Sequence, residues 1–371
     1  MRTRSRTALL LATTSLTVLI TACTPPEPIR LGFIGGLSGR VADLGESARN
    51  GFQLAVEQAN AAGGINGRRI EILVKDDGQD REKAKRAAEE LVAAGVKAIV
   101  GPVTSAMAEP ILAVATAANT PVVSPTVTTS ALTGKDDLFL RVTADTSGYS
   151  SLSARFHYEK NGLRRIAVVF DARNRAYTED WLSGFRRVFT GLGGTLSAEI
   201  AFDSSESPDH ARLVRSLLAT KPDGLLFIAS AVDTARFAQA ARDAAGKLPL
   251  IGVEWSSTER LIELGGKAVD GMHVAQFFDR HAQTPEYLAV RNAYEARFKS
   301  SPGFASIAGY DATRAILEAL SRHPERPLKQ ALIEGGPFPG AQQPIRFDRF
   351  GDAERRAFVT EIRDGKFVAV E

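Results

Sequence analysis

The sequence predicts an α/β protein made of two similar halves, each with a parallel central β-sheet that is covered by helices on both faces. Apolar runs of strand length alternate with stretches whose apolar residues recur at helical spacing, as in βαβ units. This alternation runs to about residue 124 and restarts near residue 165. The 371 residues, with 44% hydrophobic content, are enough for two packed domains.

In the first half, strand-like and helix-like segments follow one another closely. The first helix is the clearest, because Ala48, Phe52, Ala55 and Ala59 lie on one helical face. The predicted order is strand 29–35, a helix around 48–59, strand 70–74, helix 82–94, strand 98–100, a helix from residue 105 and strand 121–124.

The second half repeats the pattern and ends differently. Its predicted elements are strand 165–171, a helix through residues 181–188, strand 196–202, helix 211–218, strand 224–229, helix 234–245, strand 248–253, strand 272–277, and helices 287–298 and 308–322. Segments 358–362 and 366–370 predict a closing hairpin, because Asp364-Gly365 is a favoured two-residue turn.

The N-terminus has the pattern of a secretory signal. Three arginines precede an apolar run at residues 8–20, which is too short for a membrane-spanning helix of roughly 20 residues. The string that ends at Cys23 resembles the lipobox of bacterial lipoproteins. This resemblance implies that residues 1–22 are a signal peptide and that Cys23 carries lipid. An ordinary signal peptide that contains a cysteine remains the alternative.

A proline-rich spacer at residues 23–28 follows, which predicts an extended tether. Cys23 is the only cysteine, so the chain has no internal disulfide, and a lipidated sulfur would exclude a thiol nucleophile. The chain has 46 basic and 43 acidic residues, and three basic ones lie in the signal segment, which leaves equal numbers in the remainder. This balance argues against nucleic-acid binding.

Several short strings occur in a fixed order along the chain. They are Gly35-Gly36-Leu37-Ser38-Gly39, Asn50-Gly51, Gly63-Gly64-Ile65-Asn66-Gly67, Asp76-Asp77, Gly101-Pro102, Pro121-Val122-Val123-Ser124-Pro125, Gly184-Phe185 and Gly309-Tyr310-Asp311. The ordered set resembles the leucine/isoleucine/valine-binding family of ABC-transporter substrate-binding proteins.

The resemblance implies the type I periplasmic-binding-protein fold, with two Rossmann-like lobes, a three-segment hinge and a ligand cleft between the lobes. The expected domain bounds are residues 29–141 with 278–343 for lobe 1, and residues 142–277 with 344–371 for lobe 2. We expect a monomer.

Three loops of the first half follow predicted strands, where open α/β sheets bind ligands. A helix that starts near residue 105 would offer free N–H groups and a partial positive charge to a carboxylate. The candidate contacts are Ser38, Thr104, Ser105, Thr126, Val127 and Thr128. The resemblance implies that Ser105 binds an α-carboxylate, and that the Val127 backbone and Thr128 contact the amino-acid head. Alternatively, Thr104 or Ser105 only caps its helix.

The second half adds Tyr177, Ala231 and Glu254 as candidate ligand contacts. The resemblance implies that Glu254, which follows a predicted strand, pairs with an α-ammonium group, and that Tyr177 closes over the ligand. Alternatively, Glu254 is a solvated loop carboxylate and Tyr177 an ordinary half-buried aromatic.

Two positions depart from the family pattern. Leu44, a further candidate ligand contact, stands where amino-acid-binding relatives often carry an aromatic residue, and Ala231 stands where they often carry a second tyrosine. Because of these changes, the sequence does not indicate which side chain the ligand carries.

The motifs of enzymes and metal sites are missing. The five histidines have no metal-ligand spacing, and no nucleophile elbow or phosphate-binding loop occurs. The acidic string at residues 76–80 lacks calcium-loop spacing and predicts a turn with a helix cap. We therefore expect no metal, no cofactor and no catalysis.

The sequence thus predicts a periplasmic or cell-surface protein, anchored by lipid to a bacterial membrane. It would capture an amino acid, branched-chain or related, by cleft closure and deliver it to an ABC permease. The alternative is a ligand sensor of the same fold for an amide or small carboxylate, which signals to a receptor or regulator.

Overall fold

The computed structural model describes residues 26–370. The predicted signal segment and Cys23 lie outside these residues. The first elements are β1 (Ile29–Gly35), α1 (Ala42–Ala61), β2 (Ile70–Asp76), α2 (Arg81–Ala93), β3 (Ile99–Val100), α3 (Ala108–Ala117), β4 (Val122–Ser124) and β5 (Phe139–Arg141).

The middle of the chain repeats the alternation and then adds long helices. Its elements are α4 (Thr146–Arg155), β6 (Arg165–Asp171), α5 (Arg175–Gly191), β7 (Thr195–Phe202), α6 (His210–Leu218), β8 (Gly224–Ile228), α7 (Ala231–Ala245), β9 (Leu250–Gly252), α8 (Glu259–Gly265) and β10 (His273–Gln276). The last elements are α9 (Pro285–Phe298), α10 (Phe304–Arg322), α11 (Leu328–Glu334), β11 (Phe358–Arg363) and β12 (Lys366–Ala369).

The first sheet, ordered β2-β1-β3-β4-β5, is parallel throughout. Helices cover both faces of this sheet, because the side chains of adjacent β1 residues pack into two different hydrophobic cores. Phe33 packs into the core with Phe52 of α1, whereas Ile34 packs with Leu91 of α2 and Ile111 of α3. Helices α9 and α10 contact α1, so they join this half although they follow β10 in the chain.

The second sheet, ordered β12-β11-β10-β9-β8-β6-β7, is parallel from β7 to β10. The predicted hairpin closes it as an antiparallel edge. Asp364 and Gly365 have φ values of 48° and 69°, as the predicted two-residue turn requires. Two mainly parallel sheets covered by helices confirm the predicted α/β class.

Some elements differ from the sequence prediction. Strand β5 and helices α4, α8 and α11 were not predicted, and residues 105–107 form a 3₁₀ helix before α3 begins. The acidic string after β2 forms the predicted turn and cap, since Asp80 accepts a hydrogen bond from the backbone N–H of Lys83. None of the helices within residues 26–370 is long and apolar enough to cross a membrane.

Three connections join the two halves, at residues 142–145, 277–284 and 335–357. They lie side by side, because Arg355 donates from Nε to the Val142 carbonyl at 2.7 Å, and Gln343 donates to the Phe277 carbonyl at 3.3 Å. Arg355 also forms a buried ion pair with Asp311 of α10, at 2.6 Å. The Arg355 side chain thus links two of the connections, residues 142–145 and 335–357, to α10 of the first half.

The halves also meet along the edges of the cleft between them. Three pairs, which we call the closing contacts, cross from one half to the other: Arg40 to Asp233 at 2.8 Å, Thr258 to Asp43 at 2.5 Å, and Ser130 to Asp180 at 2.6 Å. The described arrangement is therefore closed.

Candidate functional site

A cavity lies between the halves, at the carboxyl ends of strands from both sheets. The loops after β3 and β4 form one wall, and the segments after β6 and β9 form the wall opposite. Most of the lining residues are buried. The centre of a water-sized sphere can occupy only about 20 Å³, which is room for about one water molecule. A ligand larger than a water molecule would need more space between the halves than this arrangement leaves.

Polar groups without partners converge on this cavity. Ten buried side-chain polar atoms have no hydrogen-bond partner among the described residues, and six of them belong to residues that line the cavity. These six are Oγ1 of Thr104, Thr128 and Thr143, the hydroxyls of Tyr149 and Tyr177, and Oε1 of Glu254. An unpaired buried polar group costs about 1–3 kcal/mol. Their clustering indicates a site for a polar ligand.

The wall from the first half is rich in hydroxyl groups. Thr104 occupies the N-cap position of the 3₁₀ helix at residues 105–107 but makes no side-chain capping bond. The hydroxyl of Thr104 is therefore not used for helix capping. Ser105 is buried beside it, and the next backbone N–H, of Ala106, donates to Oδ1 of Asn174 at 3.0 Å. Hydroxyls beside a helix start suit an anionic ligand group.

Glu254 supplies the negative charge of the opposite wall. It lies in a 3₁₀ helix just after β9, is only 5% exposed, and accepts a hydrogen bond at Oε2 from Nε1 of Trp181 at 3.0 Å. Burial raises the pKa of Glu254 to about 7. It is therefore not a solvated loop carboxylate. A nearby cation would favour its ionised form.

Tyr177 is buried next to Glu254. Its ring packs edge-on against Trp255, with centroids 5.6 Å apart. Its hydroxyl lies beside the Glu254 carboxylate, yet no hydrogen bond of normal geometry joins them. Burial, together with the charge of Glu254, raises the pKa of Tyr177, so the hydroxyl keeps its proton and can both donate to and accept from a ligand.

The structure brings seven of the ten candidate contacts to the cavity: Leu44, Thr104, Ser105, Thr126, Thr128, Tyr177 and Glu254. Ser38, Val127 and Ala231 lie outside its lining. The Ser38 hydroxyl donates to Asp76 at 2.7 Å, and the backbone N–H of Val127 donates to the Ser124 hydroxyl at 2.9 Å. Ala231 begins α7 and packs into the core of the second half.

Other lining residues were missed by sequence reasoning, namely Val103, Thr143, Tyr149, Asn174, Trp255, Phe277 and Phe304. Asn174 could have been predicted from the sequence, because it lies just beyond the carboxyl end of the predicted strand 165–171. Thr143 and Tyr149 follow β5, which the sequence pattern did not reveal.

The lining contains one carboxylate and no histidine, cysteine or lysine. Within residues 26–370, no group of three or more histidine, cysteine or acidic residues could hold a metal ion. The cavity combines hydroxyls, a carboxylate and aromatic rings, which together can bind a ligand with charges of both signs and an apolar part.

Known proteins resemble this chain over nearly its whole length. Residues 28–366 match the profile of a family described as periplasmic binding protein. The Leu/Ile/Val-binding protein BraC3 of Rhizobium johnstonii is 26% identical over 348 residues, which cover 92% of this chain and 94% of that protein. The resemblance seen in the sequence is thereby confirmed.

Solved structures share the fold. The substrate-binding protein LivJ of Streptococcus pneumoniae, in complex with isoleucine, superposes with a TM-score of 0.84 at 23% identity, over 92% of this chain and 98% of that one. A solute-binding protein from R. palustris, in complex with benzoate, superposes with a TM-score of 0.82 at 20% identity, over 92% of this chain and 95% of that one. The predicted fold class is confirmed.

Proposed function

The chain belongs to the periplasmic binding protein family, and from that premise we propose that it captures an α-amino acid outside the cytoplasm for an ABC importer. The observation that carries this proposal is the group of six unpartnered polar atoms around one closed cavity. The names of its relatives, which include a Leu/Ile/Val-binding protein and a branched-chain amino acid transporter component, support the same ligand class.

The two walls of the cavity suit the two charges of an amino acid. Thr104, Ser105 and Thr128, beside a helix start, would hold the α-carboxylate. Glu254 and Tyr177 would receive the α-ammonium group. Leu44 lies in the lining, so it would contact the ligand's apolar part.

A ligand screen tests this proposal. The mature protein is titrated by calorimetry with the common amino acids and with benzoate, after a thermal-shift screen for stabilising ligands. A ligand that binds only the folded state raises the melting temperature. We expect an amino acid to be the tightest ligand. Binding of benzoate but of no amino acid would overturn the proposal.

Affinity should depend on pH through Glu254. In the closed arrangement, burial holds the pKa of this carboxyl at about 7, and pairing with an ammonium group lowers it, so binding to this arrangement below pH 7 releases a proton. The Kd should be constant well above pH 7 and should rise by up to about tenfold per pH unit below about pH 6. Calorimetry at pH 5.5, 7 and 8.5 measures this, with Glu254→Gln as the control that has no such dependence.

We extend the proposal to lipid anchoring, which rests on the sequence around Cys23 alone. Cys23→Ser should move the protein from the membrane fraction to a soluble or unprocessed form, since the lipid-bearing sulfur is lost. Fractionation with labelled fatty acid measures this. Unchanged partitioning and labelling would show that Cys23 is not the anchor.

A further inference from the structure

A groove lies at the end of the first half that faces away from the ligand cavity. Its lining includes Ile29, Lys97, Pro121 and Leu138, which lie at or just before the starts of β1, β3, β4 and β5. The cavity instead lies at the carboxyl ends of these parallel strands. The groove has a volume of about 850 Å³ and is a separate feature, to which the proposed function gives no role.

The lining of the groove carries an excess of positive charge. Five of its side chains are cationic and two are acidic, namely Arg68, Lys97, Arg326, Lys329 and Arg349 against Asp136 and Glu334. Arg326 pairs with Glu334 at 2.8 Å, and Lys329 pairs with Asp136 at 2.6 Å. Arg349 also acts on Asp136, but that carboxylate already has its lysine. Three cations therefore have no acid of the lining left to neutralise them, which favours an anionic partner.

The N-terminal part of the chain is held at the wall of this groove. Arg68 donates from Nε to the Glu27 carbonyl at 2.7 Å, and the backbone N–H of Ile29 donates to the Arg69 carbonyl at 2.8 Å. Cys23 precedes Glu27 by four residues, and four residues of fully extended chain span at most about 14 Å. A lipid on Cys23 would thus keep the groove within about two Debye lengths of a bilayer surface at physiological salt.

We propose that this groove is a docking surface for a bilayer that contains anionic phospholipids, and that the first half lies against the membrane with the ligand cavity turned away from it. Lipid phosphate groups would meet the unpaired cations Arg68, Lys97 and Arg349. A basic surface beside a lipid anchor adds a second attraction to the same bilayer. The orientation rests on the proposed lipid anchoring, whereas the charge of the surface does not.

Chemical coupling through Cys23 tests this surface without relying on the cell to attach lipid. Cys23 is the only cysteine, so a maleimide lipid in vesicles couples the mature protein at that residue. The vesicles consist of phosphatidylcholine with or without phosphatidylglycerol, which is anionic. We expect amide hydrogen exchange at residues 65–69, 95–98 and 326–330 to be at least about threefold slower on the anionic vesicles at low ionic strength. High ionic strength should remove this protection, because it screens surface charges.

Charge reversal at two exposed positions gives a matched comparison. Lys97→Glu combined with Arg349→Glu should abolish the protection. Arg236→Glu combined with Lys247→Glu reverses two exposed cations of the second half and should keep it. Both double variants change the net charge equally. Both should bind the amino acid as the parent does, because all four residues lie outside the cavity lining.

The inference is overturned if exchange is equal on the two kinds of vesicle, or if the protection survives Lys97→Glu with Arg349→Glu. Loss of protection in both double variants would also overturn it, because net charge rather than the groove would then be responsible. The orientation falls if cells do not lipidate Cys23, which the fractionation of Cys23→Ser shows separately. Failure of the proposed ligand class has a different result, because a lack of amino-acid binding alters neither exchange comparison.

Discussion

Replacing Glu254 with alanine should weaken amino-acid binding by at least about 30-fold. Glu254 is the one carboxylate in the cavity lining, and its Oε1 has no partner among the described residues. Without it, the ligand's ammonium group would be buried unpaired, which costs about 2–5 kcal/mol. Titration calorimetry with the amino acid found in the ligand screen measures the change.

Two controls separate charge from shape. Glu254→Gln keeps the size of the side chain and an oxygen for the indole of Trp181, yet it cannot pair with an ammonium group, so its loss should be similar. Glu82→Ala, which removes an exposed acid on α2, should bind normally. If Glu254→Gln binds the amino acid as tightly as the parent, the ammonium is not recognised by Glu254.

Replacing Arg355 with methionine should lower the free energy of unfolding by about 3–5 kcal/mol, because it leaves the Asp311 carboxylate buried without its cation. Two backbone carbonyls, of Val142 and Gln343, lose a donor as well. Burial already raises the pKa of Asp311, and losing Arg355 removes the charge that opposes this rise. The defect should therefore grow as pH rises from the ordinary aspartate pKa to the raised pKa of Asp311 in the variant, and it should be constant above that.

Urea unfolding of the single and double variants measures this. Combining Arg355→Met with Asp311→Asn should recover part of the loss, because no unpaired charge is then buried. Arg326→Met breaks an exposed ion pair with Glu334 and should cost about 0–1 kcal/mol. An Arg355→Met variant as stable as Arg326→Met would contradict the role given to the buried pair.

Most of the fold could be predicted because apolar periodicity marks its strands and helices. Helix α4 shows where that signal fails. It packs closely on α5 through small residues: a Cβ added at Gly184 would lie 2.3 Å from Oγ of Ser150. A helix that is buried through serine looks polar in sequence. Strand β5 is short and ends in a buried arginine, Arg141, so no apolar run marks it in the sequence.

The candidate site could be predicted only as far as its loops. The rule that ligands bind where parallel strands end finds the right segments, but it does not say which side chain points inward. Val127 packs into the core whereas Thr128 lines the cavity. Tyr149 and Phe304 come from elements that are distant in sequence. Their proximity in the cavity depends on how the two halves are joined, which no local sequence pattern indicates.

The closing contacts affect how tightly the protein binds its ligands but not which ligand it prefers. Arg40, Asp233, Asp43, Thr258, Ser130 and Asp180 lie outside the cavity lining, so they do not distinguish one ligand from another. They do contribute to the free energy of the shut arrangement, and a ligand's apparent Kd scales with the fraction of molecules able to adopt it. Changes at these positions would multiply every ligand's Kd by one common factor. Evolution can thus adjust the sensitivity of capture without redesigning its selectivity.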